Sequence, residues 1–404
     1  MIQTKGQAVV TTRYRDLTTV GIRAPVSPYR RLYRGLRDTL LIARVIPPLA
    51  AQTGKSHWHL FTTALELHYR YGFTPKEIRN NGIIHGSNPL EAARTRISKQ
   101  SLVALQARLN PSSLECLTED KAVFQTLMEA YRLPVLPTVA VFFRGSQGHT
   151  VNGDFPTSSQ QWLTALRRCL PAEFVLKPAT GALGAGVRVY RREGDELTCQ
   201  ASGQRRTLPE LINTLSRDRF FSCYLFQERL LNHPAIQALS DSTALQTVRV
   251  VTLLKPGNQV EVLLARLRLV TGKTVTDNFR AGDLGSMLAQ IEIRTGRVFE
   301  AVQRSPMGHY QCIHQHPATG ATLPGFQMPF WPELVKLATA GAKVLSPVRV
   351  VGWDIACTAS GPVMVEANCR WDPPNERCRE GLIRRLIQAI PVDGVQPVAD
   401  GHRE

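Results

Sequence analysis

Near the end of the 404-residue chain, the stretch Val350-Val-Gly-Trp-Asp-Ile-Ala-Cys-Thr-Ala-Ser-Gly-Pro-Val-Met-Val-Glu-Ala-Asn368 sets two carboxylates and an amide among apolar residues. Glu366 and Asn368 are two apart, so on a strand they project from one face. A five-residue loop over 358–362 would place Asp354 directly opposite Glu366. Like charges across a ladder are unfavourable without a cation. Hard oxygens in this arrangement suit Mg²⁺, which keeps waters and bridges substrate phosphates. The alternative is a solvated polar face, but the flanks Ile355, Ala356, Val363, Met364 and Val365 favour burial, and with it the metal.

A second chemistry-bearing stretch is Phe174-Val-Leu-Lys-Pro-Ala-Thr-Gly-Ala-Leu-Gly-Ala-Gly-Val-Arg-Val-Tyr190. A strand ends at Lys177, and Gly181, Gly184 and Gly186 then form a loop before another strand. Glycines let backbone N–H groups approach a phosphate, and a lysine at the entrance adds a point charge. The loop joins strand to strand, so a Rossmann turn does not fit, and no G-K-[ST] makes it a Walker loop. A plain hairpin with a glycine-rich turn is the competing reading. Arg249, inside the β-branched run Thr247-Val-Arg-Val-Val-Thr252, needs an anionic partner: a phosphate, a carboxylate or an internal salt bridge. The segment Phe226-Gln-Glu-Arg-Leu-Leu-Asn-His-Pro234 offers backbone groups for a flat heterocycle, with Glu228 or His233 for a ribose hydroxyl. His309, His314 and His316 lack acidic or cysteine partners in a zinc arrangement. Cys369 has no histidine base and reads as a buried thiol.

The elements that must position these groups follow from periodicity. Residues 1–115 read as mostly helical, with helices at 57–71, 89–99 and 101–110 broken by Gly72, Gly82 and Pro111. Asp120 caps a helix over 121–131 that carries Val123, Phe124, Leu127 and Met128 on one face. The prolines of Leu133-Pro-Val-Leu-Pro137 then turn the chain into a buried strand ending at Phe143. Helices are expected at 158–170, 207–217, 331–345 and 379–390. Strands are expected at 173–177, 187–190, 224–228, 247–254, 260–270, 287–293, 348–357 and 363–367. The whole is α+β.

Composition narrows the class. Apolar residues make up 43% and charged residues 20%, which excludes a largely disordered chain. Eight cysteines without a C-x-x-C pair read as reduced thiols of a cytoplasmic protein. The most apolar stretch, 39–54, is interrupted by Arg44, Pro47 and Pro48 and cannot span a bilayer. A balance of 49 Lys+Arg against 32 Asp+Glu gives a net charge of +17, which attracts polyanions or simply makes a basic surface. The densest run, 23–44, holds Arg23, Arg30, Arg31, Arg34, Arg37 and Arg44 with Leu32, Tyr33, Leu36, Leu40 and Leu41 at helical spacing. It is an amphipathic basic helix that binds an anionic surface or packs on its own domain. Nothing supports sequence-specific nucleic-acid reading.

In this order, residues 116–372 resemble the ATP-grasp superfamily, and most of all its sugar-transfer-associated branch, related to α-L-glutamate ligases. Asp120-Lys121 with Leu133-Pro-Val-Leu-Pro137 is similar to the family's phosphate-contacting helix and turn. Lys177-Pro178 with Gly181, Gly184 and Gly186 resembles the mobile phosphate loop, and Gln227-Glu228 the adenine and ribose hinge. Thr247-Val-Arg249 and Asp277-Asn278-Phe279 resemble two signatures of the branch, and Asp354, Glu366 and Asn368 its magnesium ligands. Two of only ten lysines thus fall at the family's two lysine positions. Arg280-Ala-Gly-Asp283 departs from the paired glycines that the branch often shows.

The resemblance implies an ATP-grasp domain at 176–392, a small α/β linker at 116–175, a helical region at 1–115 and a flexible tail at 393–404. It implies an ADP-forming carboxylate–amine ligase that uses ATP and one or two Mg²⁺, works through an acyl phosphate, and acts on a sugar or glycan precursor. Lys121 and Lys177 would hold the phosphates. Arg249, with Asn278 and Arg280 as further contacts, would stabilise the transferring phosphoryl group, and Arg370 would meet the carboxylate substrate. A kinase on the same fold and a non-catalytic basic nucleotide-binding protein are the alternatives.

Overall fold

The computed structural model describes residues 28–80, 82–181, 184–271, 286–305, 310–372 and 382–390. They divide into two compact units. One is built from the described residues up to Pro111 with those from Asp372 on; the other is Ser112–Trp371.

The first unit is helical: α1 (Pro28–Thr53), α2 (His57–Tyr69), α3 (Pro75–Asn80), α4 (Pro89–Thr95) and α5 (Lys99–Leu109). Ile42, Ile46 and Leu49 of α1 recur at helical spacing and are buried with Leu60, Ala64, Leu67, Phe73 and Ile78. The basic helix expected over 23–44 therefore runs on through Pro47 and Pro48. The expected helices 89–99 and 101–110 meet differently. The first stops at Thr95, and the Ser98 hydroxyl accepts the Ser101 N–H, which starts α5 at Lys99.

The second unit opens with α6 (Cys116–Glu119) and α7 (Lys121–Ala130). There follow β1 (Thr138–Phe143), β2 (Gln147–Thr150), α8 (Ser159–Cys169), β3 (Glu173–Pro178), β4 (Arg188–Glu193), β5 (Glu196–Cys199), β6 (Arg205–Thr207), α9 (Leu208–Ser216) and β7 (Cys223–Glu228). These strands form one antiparallel sheet in the order β2-β1-β7-β3-β4-β5-β6. Trp162, Leu166, Leu211 and Leu215 of α8 and α9 cover it over Phe142, Phe174 and Tyr190. Residues 116–175, set apart above as a linker, thus supply three of this sheet's strands in whole or part. Of the apolar residues expected on one face of α7, Phe124 and Met128 are buried, whereas Val123 is exposed.

A second antiparallel sheet, in the order β12-β11-β10-β9-β8-β13-β14, comprises β8 (Thr247–Leu254), β9 (Val260–Leu269), β10 (Met287–Ile291), β11 (Val298–Arg304), β12 (Tyr310–Ile313), β13 (Val350–Thr358) and β14 (Gly361–Asn368). Between β7 and β8 lies α10 (Pro234–Ser240), and before β13 lies α11 (Trp331–Val344). A further helix, α12 (Leu382–Gln388), belongs to the helical unit. Leu334, Leu337, Ala338 and Ala342 of α11 pack with Val250, Ala265, Ala289 and Trp353 from one face of the sheet. Strand β13 is buried at every position, which is why its sequence is an almost unbroken apolar run. At Gly341 an added Cβ would lie 2.6 Å from Met364 Cε and 2.8 Å from the Trp353 ring. Gly341→Ala should therefore lose about 1–2 kcal/mol in urea unfolding, overpacking outweighing the helix-propensity gain.

The hairpin β13–β14 reaches its expected register by another route. Thr358 pairs with Gly361 across a two-residue turn, and a bulge between Asp354 and Ile355 shifts the ladder by one residue. The shift places Asp354 opposite Glu366, as the longer loop would have done.

Candidate active site

The face of the second sheet away from α11 carries a polar row that crosses six strands. Glu366 pairs with Asp354, Asp354 with Arg249, Arg249 with Arg266, Arg266 with Gln290 and Gln290 with Glu300. At its centre Arg249 donates from Nε and Nη2 to Asp354 Oδ1 and Oδ2 at 2.5 and 2.9 Å, and Arg268 Nη1 donates to Oδ2 at 3.0 Å. Burial pushes the Asp354 carboxyl up, but the two guanidinium groups outweigh it and hold the group well below the usual carboxylate range. Arg249 is thus engaged by an internal partner, one of the possibilities its sequence position allowed.

Glu366 behaves in the opposite way. Burial first, and the Asp354 charge second, raise its pKa, and it shares a side-chain hydrogen bond with Asp354 that favours its protonated form. Its nearest cation is Lys121, with Nζ 3.9 Å from Oε2. Asn368, on the same face of β14, turns its amide nitrogen to Gly352 O at 3.5 Å, which leaves its oxygen for a cation. Among the described residues no three His, Cys, Asp or Glu side chains form a metal cluster. Two carboxylates and one amide oxygen nevertheless fit Mg²⁺, which takes few protein ligands and fills its octahedron with water and phosphate. The like-charged pair, which adds to burial in raising the pKa of Glu366, is the feature a cation would relieve.

Lys177 comes from β3 of the first sheet and Lys121 from helix α7. Asp120 Oδ1 accepts the N–H groups of Ala122 and Val123, so Lys121 becomes the first residue of α7. The backbone N–H of Lys121 donates to Ala179 O at 2.8 Å, and its Nζ donates to Gly181 O at 3.0 Å. Lys177, next to last in β3, is in register with Leu225 of β7, and its side chain is buried. Desolvation brings its ammonium down to about 7, with Glu366 opposing that shift and Lys121 adding to it. Lys121, Lys177 and Glu366 therefore meet at one place.

The glycine loop is rooted in the same region. Ala179 N–H donates to Cys223 O at 2.9 Å. Gly181, Gly184 and Gly186 all have positive φ, and a Cβ on Gly186 would lie 2.7 Å from Pro178 and 3.2 Å from the Phe221 ring. Phe221 is held by Asp218, whose Oδ1 accepts the N–H groups of Phe220 and Phe221. The connection from α7 to β1 is pinned to the acidic hairpin: Leu136 N–H donates to Met364 O, and Met364 N–H to Pro134 O.

Other expectations meet a different environment. The Gln227 side chain is fully buried and donates to Thr138 Oγ1 at 2.8 Å, while Thr138 donates to Gln125. Its amide thus ties β7 to β1 and α7, while Glu228 is exposed. The His233 ring accepts the Ala235 N–H and caps α10, with its edge against Phe330. Arg370 pairs with Glu115, both partly open to solvent. Cys369 is a buried thiol pushed up to about 11 by desolvation, as expected. His316 is buried and contacts Val270 O, while His309 lies outside the described residues. Asp277, Asn278, Phe279, Arg280 and the tail 393–404 also lie outside them. Arg266 and Arg268 were missed. Their signal was the alternation Ala265-Arg-Leu-Arg-Leu269, two cations on one face of an otherwise apolar strand.

A family model described as sugar-transfer associated ATP-grasp matches residues 101–387, more than two thirds of the chain. No curated protein matches the chain. Among solved structures, the ADP complex of purK, N5-carboxyaminoimidazole ribonucleotide synthetase, aligns with TM-score 0.37 and 14% identity over 68% of this chain and 52% of that one. The D-alanine-D-alanine ligase from Coxiella burnetii aligns with TM-score 0.39 and 9% identity over 76% and 66%. The biotin carboxylase–beta-gamma-ATP complex from Campylobacter jejuni aligns with TM-score 0.39 and 12% identity over 72% and 51%. The chain spans about half to two thirds of the length of these three proteins.

Proposed function

This chain belongs to the sugar-transfer associated ATP-grasp family, and on that premise we propose that it is an ADP-forming ligase joining a carboxylate to an amine through an acyl phosphate. The observation that carries the reading is the meeting of Lys121, Lys177 and Glu366 beside the glycine loop, next to the Arg249–Asp354–Arg268 cluster.

Phosphoryl transfer asks little covalent chemistry of the protein; it requires positioning and charge neutralisation. Lys121 and Lys177 would receive the phosphates, and the N–H groups of the Gly181–Gly186 loop would cover them. Arg249, and Arg268 beside it, would face the transferring group or the acyl phosphate. Asn278 and Arg280 are proposed as further contacts. Adenine and ribose would lie against the chain leaving β7 at Gln227 and Glu228, with His233 beyond. Glu366 and Asn368, with Asp354, would hold Mg²⁺, which when bound neutralises phosphate charge. The covering loop excludes water, which would otherwise hydrolyse the acyl phosphate. The carboxylate is proposed to belong to a sugar or glycan precursor, or to the acid joined to one.

The test is thermal stabilisation by Mg·ATP, compared with ATP plus EDTA and with Mg²⁺ alone, followed by ADP release with paired carboxylates and amines. Ligand binding to the native state raises the melting temperature by mass action, by several degrees at saturation. A shift that needs both components, with ADP release that needs both substrates and a hydroxamate when hydroxylamine is added, supports the ligase. No shift at millimolar nucleotide removes the nucleotide site. ADP release on an alcohol without a carboxylate makes the protein a kinase.

A further inference from the structure

Helix α1 has two apolar faces, and the helical unit uses only one. Ile42, Ile46 and Leu49 are buried, and Gly35 and Thr39 face α2 through Tyr69. The Tyr69 hydroxyl donates to Gly35 O at 3.0 Å and bonds Thr39 Oγ1 at 2.8 Å. On the other side, Leu32 (63%), Tyr33 (61%), Leu36 (58%) and Leu40 (64%) are exposed. At about 100° per residue these four positions cover an arc of roughly 100°. Arg44, Arg37 and Arg34 continue the circumference beside it, and all three are exposed. Arg37 bonds Asp38, the one acidic residue of the helix. Arg34 and Arg44 make no ion pair among the described residues.

A single exposed leucine is ordinary, but a contiguous row of four large side chains flanked by arginines is a composed surface. It has the composition of a helix that lies in the plane of a membrane interface, apolar face among the acyl chains and cations at the headgroups. A second copy of the chain is the poorer match, because it would bring like arginines together on a protein of net charge +17. A lipid anion instead supplies the complementary charge. We propose that the exposed face of α1 docks this protein onto an anionic lipid bilayer, with Leu32, Tyr33, Leu36 and Leu40 entering the interface and Arg34 and Arg44 meeting lipid phosphates. The helix lies on the membrane and does not span it: among the described residues no helix is long and apolar enough to cross.

The test is flotation of the full chain with vesicles of phosphatidylcholine alone and of phosphatidylcholine with about one third phosphatidylglycerol. Binding to the anionic vesicles should be at least roughly tenfold stronger, and both Leu36→Glu/Leu40→Glu and Arg34→Glu/Arg44→Glu should each weaken it about tenfold or more. All four positions are exposed, so circular dichroism and melting should match wild type, which separates lost docking from lost fold. In Tyr33→Trp, the emission difference from wild type should be red in buffer and move to the blue with anionic vesicles. Equal binding to both vesicle types, or anionic binding untouched by the leucine variants, overturns the proposal. A dimer in light scattering that Leu36→Glu/Leu40→Glu dissociates, without vesicle binding, assigns the stripe to a second copy. An emission difference that is already blue for Tyr33→Trp in buffer alone assigns it to another part of the chain. Either result also overturns the proposal.

Discussion

Glu366→Gln should fold like the wild type, melt at the same temperature or slightly higher, and lose about a thousandfold in ADP-forming turnover. Glutamine has the size of the protonated acid and can donate the hydrogen bond to Asp354 that raises the pKa of Glu366. It also removes the like-charge pair between the two strands. It cannot supply a carboxylate oxygen to a divalent cation. The variant should therefore keep the stabilisation produced by ATP in EDTA and lose the increment that Mg²⁺ adds. Wild-type turnover in this variant would take the acidic hairpin out of the chemistry while leaving the lysines in it.

Lys177→Met is the second large effect, and it is sharpest as a function of pH. In the ligand-free protein desolvation lowers the Lys177 pKa to about 7, so above that pH the side chain is mostly neutral. Phosphates favour the ammonium form, so ATP binding must take up a proton there. Affinity for ATP measured in EDTA should then fall up to about tenfold per pH unit above 7 in the wild type. Lys177→Met should bind about a hundredfold more weakly at pH 7, having lost a charged donor, and this part of the pH dependence should vanish. The stability of the free protein carries the same signature. Between pH 7 and the ordinary lysine value, the unfolded chain holds a proton that the folded chain has given up. In that window the wild type gains stability as pH rises, and Lys177→Met should not. Calorimetric titration and urea unfolding at pH 7, 8 and 9 measure both effects. An unchanged ATP affinity in the variant would detach Lys177 from the nucleotide.

Both residues were legible in the sequence, because their signals are local. A lysine before spaced glycines, and Glu-x-Asn opposite an aspartate in an apolar hairpin, can be read from a short stretch of chain. The inner strands β8, β9 and β13 and the edge strand β14 were legible too, since strands buried on one or both faces have a β-branched or continuous apolar text. Strands β2, β5, β6, β11 and β12 were not. Arg205–Thr207 and Tyr310–Ile313 are short, polar and largely open to solvent, and only pairing with a neighbour makes them strands. The arginine cluster escaped for a different reason. That Arg249 and Arg268 converge on Asp354 follows from the order β9-β8-β13, which joins residues about a hundred positions apart. Similarly, the bond of the Gln227 side chain to Thr138, and through it to Gln125, joins residues of other elements and has no local signal.

The tight turn at Ala359-Ser360 and the bulge after Asp354 form a compensated pair, with consequences for how this stretch can diverge. A relative with a longer turn and no bulge would bring the same three oxygen-bearing side chains to the same places. With the short turn and no extra residue bulged at Val365, the ladder would set Glu366 opposite Trp353, on the side of the sheet under α11. Insertions and deletions here should therefore occur in matched sets. An alignment that slides Glu366 by one column to close a gap at the turn would pair residues that share a letter but not a location.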